Sequence, residues 1–266
     1  MIFRPQDKTI ARHIDHYWIV ENNKSFLGNT SCLHAYPGVT PDMIIVLDGF
    51  YEFNYLGKKV IQNKSKLYSF IHKEVELNLA PLNSFILVKF KSRALSSIQP
   101  FVNYSSKEIM TNPIDFSESA FNGTISELPN QLKHLSETEV VDFLDHWFLS
   151  YYKKEREGFV VEMAEEICPN FSLQKIMDST NYSYSTIERH FKRETGLTPK
   201  KFQTLKRFKA VVTDICITKN RDWLTYVNDY DYYDQAHFIK DIKKHSRFTP
   251  SQLLDNQNFL SLRPVV

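Results

Sequence analysis

The sequence predicts an α+β chain in which an antiparallel β barrel or sandwich comes first and an all-α region follows. Three observations support this. Short apolar runs alternate with turn pairs in the first ninety residues, the apolar period becomes helical after residue 91, and the stretch at 181–199 recurs about fifty residues later. With 266 residues, 42% of them hydrophobic, the chain is long enough for two cores. We expect domains at 1–158 and 159–266.

Three segments in the first part have the pattern of strands. "MIIVLDG" at 43–49 is a continuous apolar run, "YEFNYLG" at 51–57 alternates aromatic and polar residues, and "SFILVKF" at 84–90 is again apolar. Asp-Gly and Leu-Gly pairs close the first two segments. Frequent turn signals and many aromatic residues favour an antiparallel barrel or sandwich.

A helix is predicted from Ser136 to Tyr152. Ser136 and Glu139 have capping-box spacing, and Leu135 and Val140 have the spacing of a hydrophobic staple. This helix either forms a dimer contact or packs on its own β domain. Gly158 follows it, and the domain boundary is expected there.

The basic charge is concentrated in the second half of the chain. Residues 1–158 hold 17 Lys and Arg against 18 Asp and Glu, whereas residues 171–254 hold 15 against 9. A polyanion is therefore expected to dock on the second half. The three cysteines have no CxxC spacing, and we find no signal peptide or membrane-spanning stretch, so a reducing cytoplasm is expected.

The first copy of the repeat, at about 172–194, has the pattern of two short helices around a tight turn. Asn181 tolerates the left-handed conformation that such a turn needs, and Ser183 can cap the second helix. Ile187 and Phe191 share the face that must be buried. The opposite face carries polar side chains: Ser185, Glu188, Arg189 and Lys192.

The second copy, at about 222–246, has the same layout, with Asp231 in the turn and Phe238 and Ile242 facing inward. Both copies end on Thr-Pro, which starts a further helix. The helix predicted between them, at about 199–217, is roughly 28 Å long, comparable to the roughly 34 Å repeat of duplex DNA. This is the helix-turn-helix plan, in which each second helix enters the major groove.

The motifs "FKRETGLTPKKF" and "YYDQAHFIKDIKKHSRFTPSQ" resemble the DNA-binding domain of AraC-type (AraC/XylS) transcription regulators. "AYPGVTPDMIIVLDG" and "LVKFKSRALSSIQPF" more weakly resemble the cupin-like domains that precede it in many such regulators. The resemblance implies a sequence-specific regulator of double-stranded DNA and, for an activator, RNA polymerase as a partner. The sequence leaves open whether the chain takes a small-molecule effector and whether it forms a homodimer.

Residue by residue, the resemblance implies two classes of DNA contact. Base reading falls on Ser185, Glu188, Arg189, Gln235, Ala236, His237 and Lys240. Phosphate contacts fall on Lys192, Lys200, Lys201, Lys243 and Lys244. The family usually has glycine where this chain has Asn181, Asp231 and Arg247, and small residues at Tyr226 and Val227. Because aspartates also lie close together in the second turn, we expect the second motif to bind DNA more weakly or less specifically than the first.

Two functions of the first domain stay open. An effector pocket and an ordinary core are both compatible with its aromatic residues: Tyr17, Trp18, Tyr36, Phe53 and Tyr55. The first domain also contains four histidines: His13, His16, His34 and His72. Their spacing is not that of a metal site, so we expect neither a metal nor a cofactor. The sequence has none of the motifs GxSxG, HExxH, P-loop or GxGxxG, so we do not expect the protein to be an enzyme. The alternatives are a metal-binding cupin enzyme fused to a DNA-binding domain and a nucleoid-type architectural protein.

Overall fold

The computed structural model describes residues 1–21, 32–55, 57–68, 75–98, 124–153 and 173–255. Its first half is built from nine strands within those ranges. They are β1 Ile2–Phe3, β2 Ile14–Val20, β3 Cys32–Ala35, β4 Asp42–Gly49, β5 Tyr51–Tyr55, β6 Lys58–Gln62, β7 Lys66–Tyr68, β8 Val75–Asn78 and β9 Leu82–Phe90.

The strands form two antiparallel sheets. The larger sheet has the order β1-β2-β9-β4-β7 and the smaller one β3-β8-β5-β6. The fold class predicted from the sequence is confirmed, and of its two alternatives the described strands form the sandwich, because they do not close into a barrel.

The larger sheet is the middle layer of the first half, since it buries both of its faces. On β2, Trp18 and Val20 face the smaller sheet and pack with Phe53, whereas Tyr17 and Ile19 belong to the cluster that contains the helices. Side chains alternate across a strand, so a central strand buried on both faces reads as a continuous apolar run. "MIIVLDG", in β4, is such a run.

Nine α-helices follow within the described ranges. They are α1 Ala94–Ser97, α2 Leu128–Leu132, α3 Glu137–Ser150, α4 Leu173–Thr180, α5 Tyr184–Thr195, α6 Pro199–Thr218, α7 Trp223–Asp229, α8 Gln235–Ser246 and α9 Pro250–Asp255. Short 3-10 turns lie at Ile10–Arg12 and Thr124–Ser126. The boundary predicted near Gly158 falls outside the described residues.

Helix α3 packs on the larger sheet. The capping box predicted at its start is confirmed, because Ser136 and Glu139 each accept the other's backbone N–H. In its interior, Phe148 contacts Phe90 edge to face, with 5.4 Å between ring centroids. The buried carboxylate of Asp145 accepts a 2.6 Å hydrogen bond from the Tyr17 hydroxyl. These contacts support packing on the chain's own β domain; the dimer contact stays a prediction.

The two helical pairs join different cores. Ile187 and Phe191 lie in one continuous cluster with Ile98 and Phe90, so the first pair shares the core of the sheet. The second pair forms a separate cluster around helix α6, to which the sheet half contributes Tyr36. The Tyr36 ring meets Phe208 of α6 edge to face at 6.1 Å.

Candidate nucleic-acid interface

The first motif consists of α4 and α5. Between them Asn181 adopts the left-handed conformation with φ 56°, as its position in the sequence predicts. Ser183 caps α5, because its Oγ accepts the Thr186 N–H at 3.3 Å. Ser172 directly precedes α4 in the sequence, where a serine can cap a helix, and it lies outside the described residues.

The outer face of α5 is open to solvent, as predicted. Ser185, Arg189 and Lys192 are exposed, and Ile187 and Phe191 on the other face are fully buried. A guanidinium held on such a face can contact guanine O6 and N7 together. Arg189 therefore has the exposure that base reading requires.

Glu188 and Lys192 form an ion pair on that face, with 2.8 Å between Oε1 and Nζ. The predicted roles of these two residues, cytosine reading and phosphate contact, would both require the pair to open. The pair stabilises an isolated helix by only about 0.2–0.5 kcal/mol. DNA can therefore compete for either partner.

The second motif consists of α7 and α8. Asp231 in its turn has φ 53°, and Asp234 caps α8 by accepting the His237 N–H at 2.6 Å. Where the family usually has small residues, Tyr226 and Val227 are buried. The Tyr226 ring stacks on Phe238 with an interplanar angle of 2°. An aromatic core thus replaces the close helix approach that small residues would allow.

The outer face of α8 carries every predicted contact of this motif in an exposed position: Gln235, Ala236, His237, Lys240, Lys243 and Lys244. Nδ1 of His237 accepts the Tyr233 N–H at 3.4 Å. In the neutral ring this places the proton on Nε2, which is left as a donor. His237 can therefore donate to a base or to a phosphate.

Helix α6 is the connector predicted between the motifs. It begins at Pro199 behind a Thr198 cap, whose Oγ1 accepts the Lys201 N–H at 3.2 Å. Both α5 and α8 contact it. Lys200 is exposed, whereas Lys201 is half-buried, and burial lowers its pKa with a further contribution from Lys244. The two predicted phosphate contacts at this end of α6 thus differ in solvent access.

The ends of the two reading helices differ in one residue. Gly196 follows α5 with φ 74°, and Arg247 follows α8 with φ 66°. The left-handed conformation costs a residue with a side chain about 1–2 kcal/mol. The sequence predicted that cost at Arg247, and the backbone there does adopt the costly conformation.

The aromatic residues predicted to line an effector pocket are not brought together. Tyr17, Trp18, Tyr36 and Phe53 are all buried, but they belong to three different hydrophobic clusters. The physical reason is the strand alternation that sends neighbouring side chains to opposite faces. The side chain of Tyr55 lies outside the described residues.

A cavity of about 540 Å³ lies elsewhere, between the loop before β4 and the outer side of α6. Its lining includes Val39, Ile217 and Tyr230, together with the charged residues Lys206, Lys209 and Asp214. Burial lowers the pKa of Lys209 to about 7, and the charges around it are those of Lys89 and Asp42. These two form their own ion pair across β9 and β4 at 2.6 Å.

The described histidines of the first half are not gathered into a metal site. His13 packs near the Tyr152 ring, His16 pairs with Asp15 at 2.8 Å, and His34 contacts the Phe248 ring. Among the described residues no group of three His, Cys, Asp or Glu side chains could hold a metal ion. His72 lies outside those residues.

Two side chains near the reading helices were not singled out by sequence. Tyr233, directly before the α8 cap, is 91% exposed, and Arg207 of α6 lies over the Tyr232 ring at 4.2 Å. Sequence patterns did not identify Tyr232 or Tyr233, because both lie in a turn, where side chains follow neither the helix nor the strand period. Arg207 could not be found because its partners lie 24 and 34 residues away in sequence.

Within the described ranges, no helix is both long and apolar enough for a membrane span.

No protein-family profile and no curated protein matches the chain. Among solved structures, ToxT from Vibrio cholerae O395 is similar at 12% identity and a TM-score of 0.47, over 88% of this chain and 98% of that one. ToxT bound to (E)-4-(8-methylnaphthalen-1-yl)but-3-enoic acid is similar at 11% identity and a TM-score of 0.46, over 90% and 98%. The AraC-like transcriptional activator CuxR is similar at 10% identity and a TM-score of 0.26, over 91% and 78%. The functional conclusion rests on the residues and geometry of the two motifs.

Proposed function

We propose that this chain is a sequence-specific, double-stranded DNA-binding transcription regulator of the AraC type. The observation that carries the proposal is the pair of capped, cationic helices α5 and α8, which both pack on the single helix α6. At 20 residues α6 is about 30 Å long, comparable to one turn of the duplex. The motifs can therefore occupy successive major grooves.

Base reading is assigned to the exposed polar face of each reading helix, with Arg189 as the principal contact in the first. The lysines at 192, 200, 201, 243 and 244 are assigned to phosphates, which position the protein without reading sequence. The proposal includes two domains, at 1–158 and 159–266, and a cytoplasmic location. It also includes a homodimer and, for an activator, RNA polymerase as a partner.

Selection of bound duplexes from a random library tests the proposal directly. The full chain is expected to enrich a defined sequence, with affinity falling steeply as salt rises because counterions are released. Enrichment of no sequence above bulk DNA would instead indicate an architectural protein. Zinc, iron or manganese bound in stoichiometric amount to the purified chain would favour the cupin enzyme.

Arg189→Ala separates base reading from phosphate contact. It is expected to relax preference at one base pair by about 1–3 kcal/mol, because a bidentate contact to guanine is lost. The matched control, Lys243→Ala, should weaken all sequences alike and reduce the salt slope by about 1. If Arg189→Ala left the selected sequence unchanged, α5 would not be a reading helix.

The cavity beside α6 supports control by a small-molecule effector. Its mostly apolar lining includes two lysines, which suit the carboxylate of an amphipathic ligand, and Asp214, which accepts the Tyr230 hydroxyl. One wall is the helix on which both motifs pack. Octanoate is a suitable probe. Stabilisation by octanoate in the wild type but not in Val39→Trp, which would fill the cavity, would support this site. Equal stabilisation of both would exclude it.

A further inference from the structure

Besides the apolar packing around α6, one arginine of this helix reaches polar groups of the second motif. The Arg207 guanidinium carbon lies 4.2 Å from the centroid of the Tyr232 ring, and Nη1 donates to the Asp231 carbonyl at 3.2 Å. Its Nη2 lies 3.9 Å from Oδ2 of Asp241. One side chain of the connector thus touches both the turn and the reading helix of the second motif.

Asp241 is the point at which these contacts meet. It is buried on the inner side of α8, and its Oδ2 accepts the Tyr232 hydroxyl at 3.1 Å. Oδ1 lies 3.6 Å from Nε2 of His245, one turn further along the helix. A buried carboxylate is costly unless cations and donors surround it. Here its partners come from the connector, the turn and its own helix.

The first motif also has a tyrosine, a histidine and an acidic residue, with the last two exchanged. Tyr182 directly follows the turn residue, as Tyr232 does, and His190 and Glu194 occupy the places of Asp241 and His245. Tyr182 stacks on His190 with an interplanar angle of 4°, and His190 Nδ1 lies 3.3 Å from Glu194 Oε1.

A cation beside Glu194 comes from the reading helix itself. Arg193, at 3.4 Å from Glu194, belongs to α5. Both ion pairs described for Glu194 in the first motif therefore lie within α5. In the second motif, the corresponding cluster is tied to α6.

We propose that Asp241 is the positioning residue of the second motif. It holds α8 against α6 through Arg207 and against the turn through Tyr232, and so sets where His237 and Lys240 meet the DNA. The part of this inference that concerns DNA rests on the proposed function. Asp241 itself faces away from the exposed reading side and touches no base.

The charges around Asp241 offer a readout that simple packing would not move. His245 packs against the Phe208 ring at 5.1 Å and faces Asp241, Lys201 and Lys244. Burial lowers the pKa of His245; the two lysines lower it further, and Asp241 raises it. The neutral ring is thus favoured in the folded motif, whose stability is lost as pH falls through the ordinary histidine range near 6.5.

The test uses the full chain and Asp241→Asn, which keeps the size of the side chain and an acceptor for Tyr232 but removes the charge. Histidine NMR titration is expected to show His245 titrating at lower pH than in the wild type, because Asp241 no longer raises its pKa. Library selection is expected to show about tenfold weaker base preference in the half-site read by α8, because a charged hydrogen-bond acceptor is lost. Preference in the other half-site should be retained.

Tyr232→Phe provides a second variant if Asp241→Asn fails to fold. It removes one hydroxyl and keeps the ring under Arg207, so a smaller loss in the same half-site is expected. The matched control is Tyr182→Phe, which keeps the ring that stacks on His190 and should leave both half-sites unchanged. Unchanged preference in the α8 half-site, with His245 shifted in Asp241→Asn, would overturn the positioning role.

Failure of the proposed function gives a distinct result. If the wild-type chain selects no sequence, hydrogen exchange decides the positioning role by itself. Faster exchange of α8 amides in Asp241→Asn, with α5 unchanged, would support it. Equal exchange in variant and wild type would overturn it.

Discussion

The two helix-turn-helix motifs share their local structure but pack into different hydrophobic cores. Each has a left-handed turn residue, a side-chain cap and a buried pair of apolar residues at equivalent places. Yet Ile187 and Phe191 of the first motif belong to the core of the sheet half, whereas Phe238 and Ile242 belong to a separate cluster around α6. Similar sequence therefore does not mean similar support.

This difference indicates how a change in the sheet half would spread. The first reading helix contacts α1, which directly follows the last strand, so it is coupled to the sheet by shared packing. The second is coupled through α6 and through contacts such as Tyr36 with Phe208. A ligand in the cavity beside α6 would act on the second route.

The largest effect on stability is expected from truncating one buried ring in each core. Phe191→Ala and Phe238→Ala each remove a fully buried ring, and each is expected to cost about 3–5 kcal/mol of unfolding free energy. Because Phe191 shares a cluster with the sheet, its loss should also speed hydrogen exchange in β9. Phe238→Ala should leave β9 protected. Equal exchange in β9 for both variants would show that the two cores are not separate.

A smaller effect is expected at the helix ends. Gly196→Ala should lower the unfolding free energy by about 1 kcal/mol, because alanine is strained at φ 74°. Arg247→Gly should raise it by up to about 1 kcal/mol, since the same strain is relieved. Urea unfolding measures both. The same sign for both variants would refute strain as the difference between the two ends.

The smallest effect concerns the junction of the sheet with α6. The pKa of Lys209 is lowered to about 7, below its value of about 10.4 in an unfolded chain. Between these values the unfolded chain binds more protons, so stability should rise with pH across that window. Lys209→Met should flatten this rise, by less than about 1 kcal/mol because the side chain is partly exposed and solvent screens its charge.

The matched control for Lys209→Met is Lys206→Met on the same helix, which should keep the rise. Urea midpoints at pH 7 and pH 9.5 supply the comparison. A rise of the same size in Lys209→Met and the wild type would mean that other lysines produce it.

Prediction from sequence worked where one segment determines the outcome. The Ser136 and Glu139 box, the caps at Ser183 and Thr198 and the turn at Asn181 depend on residues within one helical turn, and all are observed. One local contact was missed. Glu188 and Lys192 have the i,i+4 spacing that favours an ion pair on a helix, but both were assigned to DNA instead.

Groupings of residues that are distant in sequence could not be predicted, because no short pattern specifies which of them meet. The aromatic set built around Tyr17, Trp18, Tyr36 and Phe53 was chosen by residue type, but pleating and sheet stacking distribute these rings over three clusters. Arg207 attracted no notice as one of several cations on a helix. Only its approach to Tyr232 and Asp241 reveals a role.

By itself the sequence determined the strands, the helices, their caps and the faces they bury, because period and capping are local and repeat in both motifs. Tertiary structure decided which core each motif joins, and it alone tied Asp241 to Arg207 across the gap between two helices. The physical reason is that burial energy depends on which distant surfaces meet, and no short stretch of chain specifies its partner.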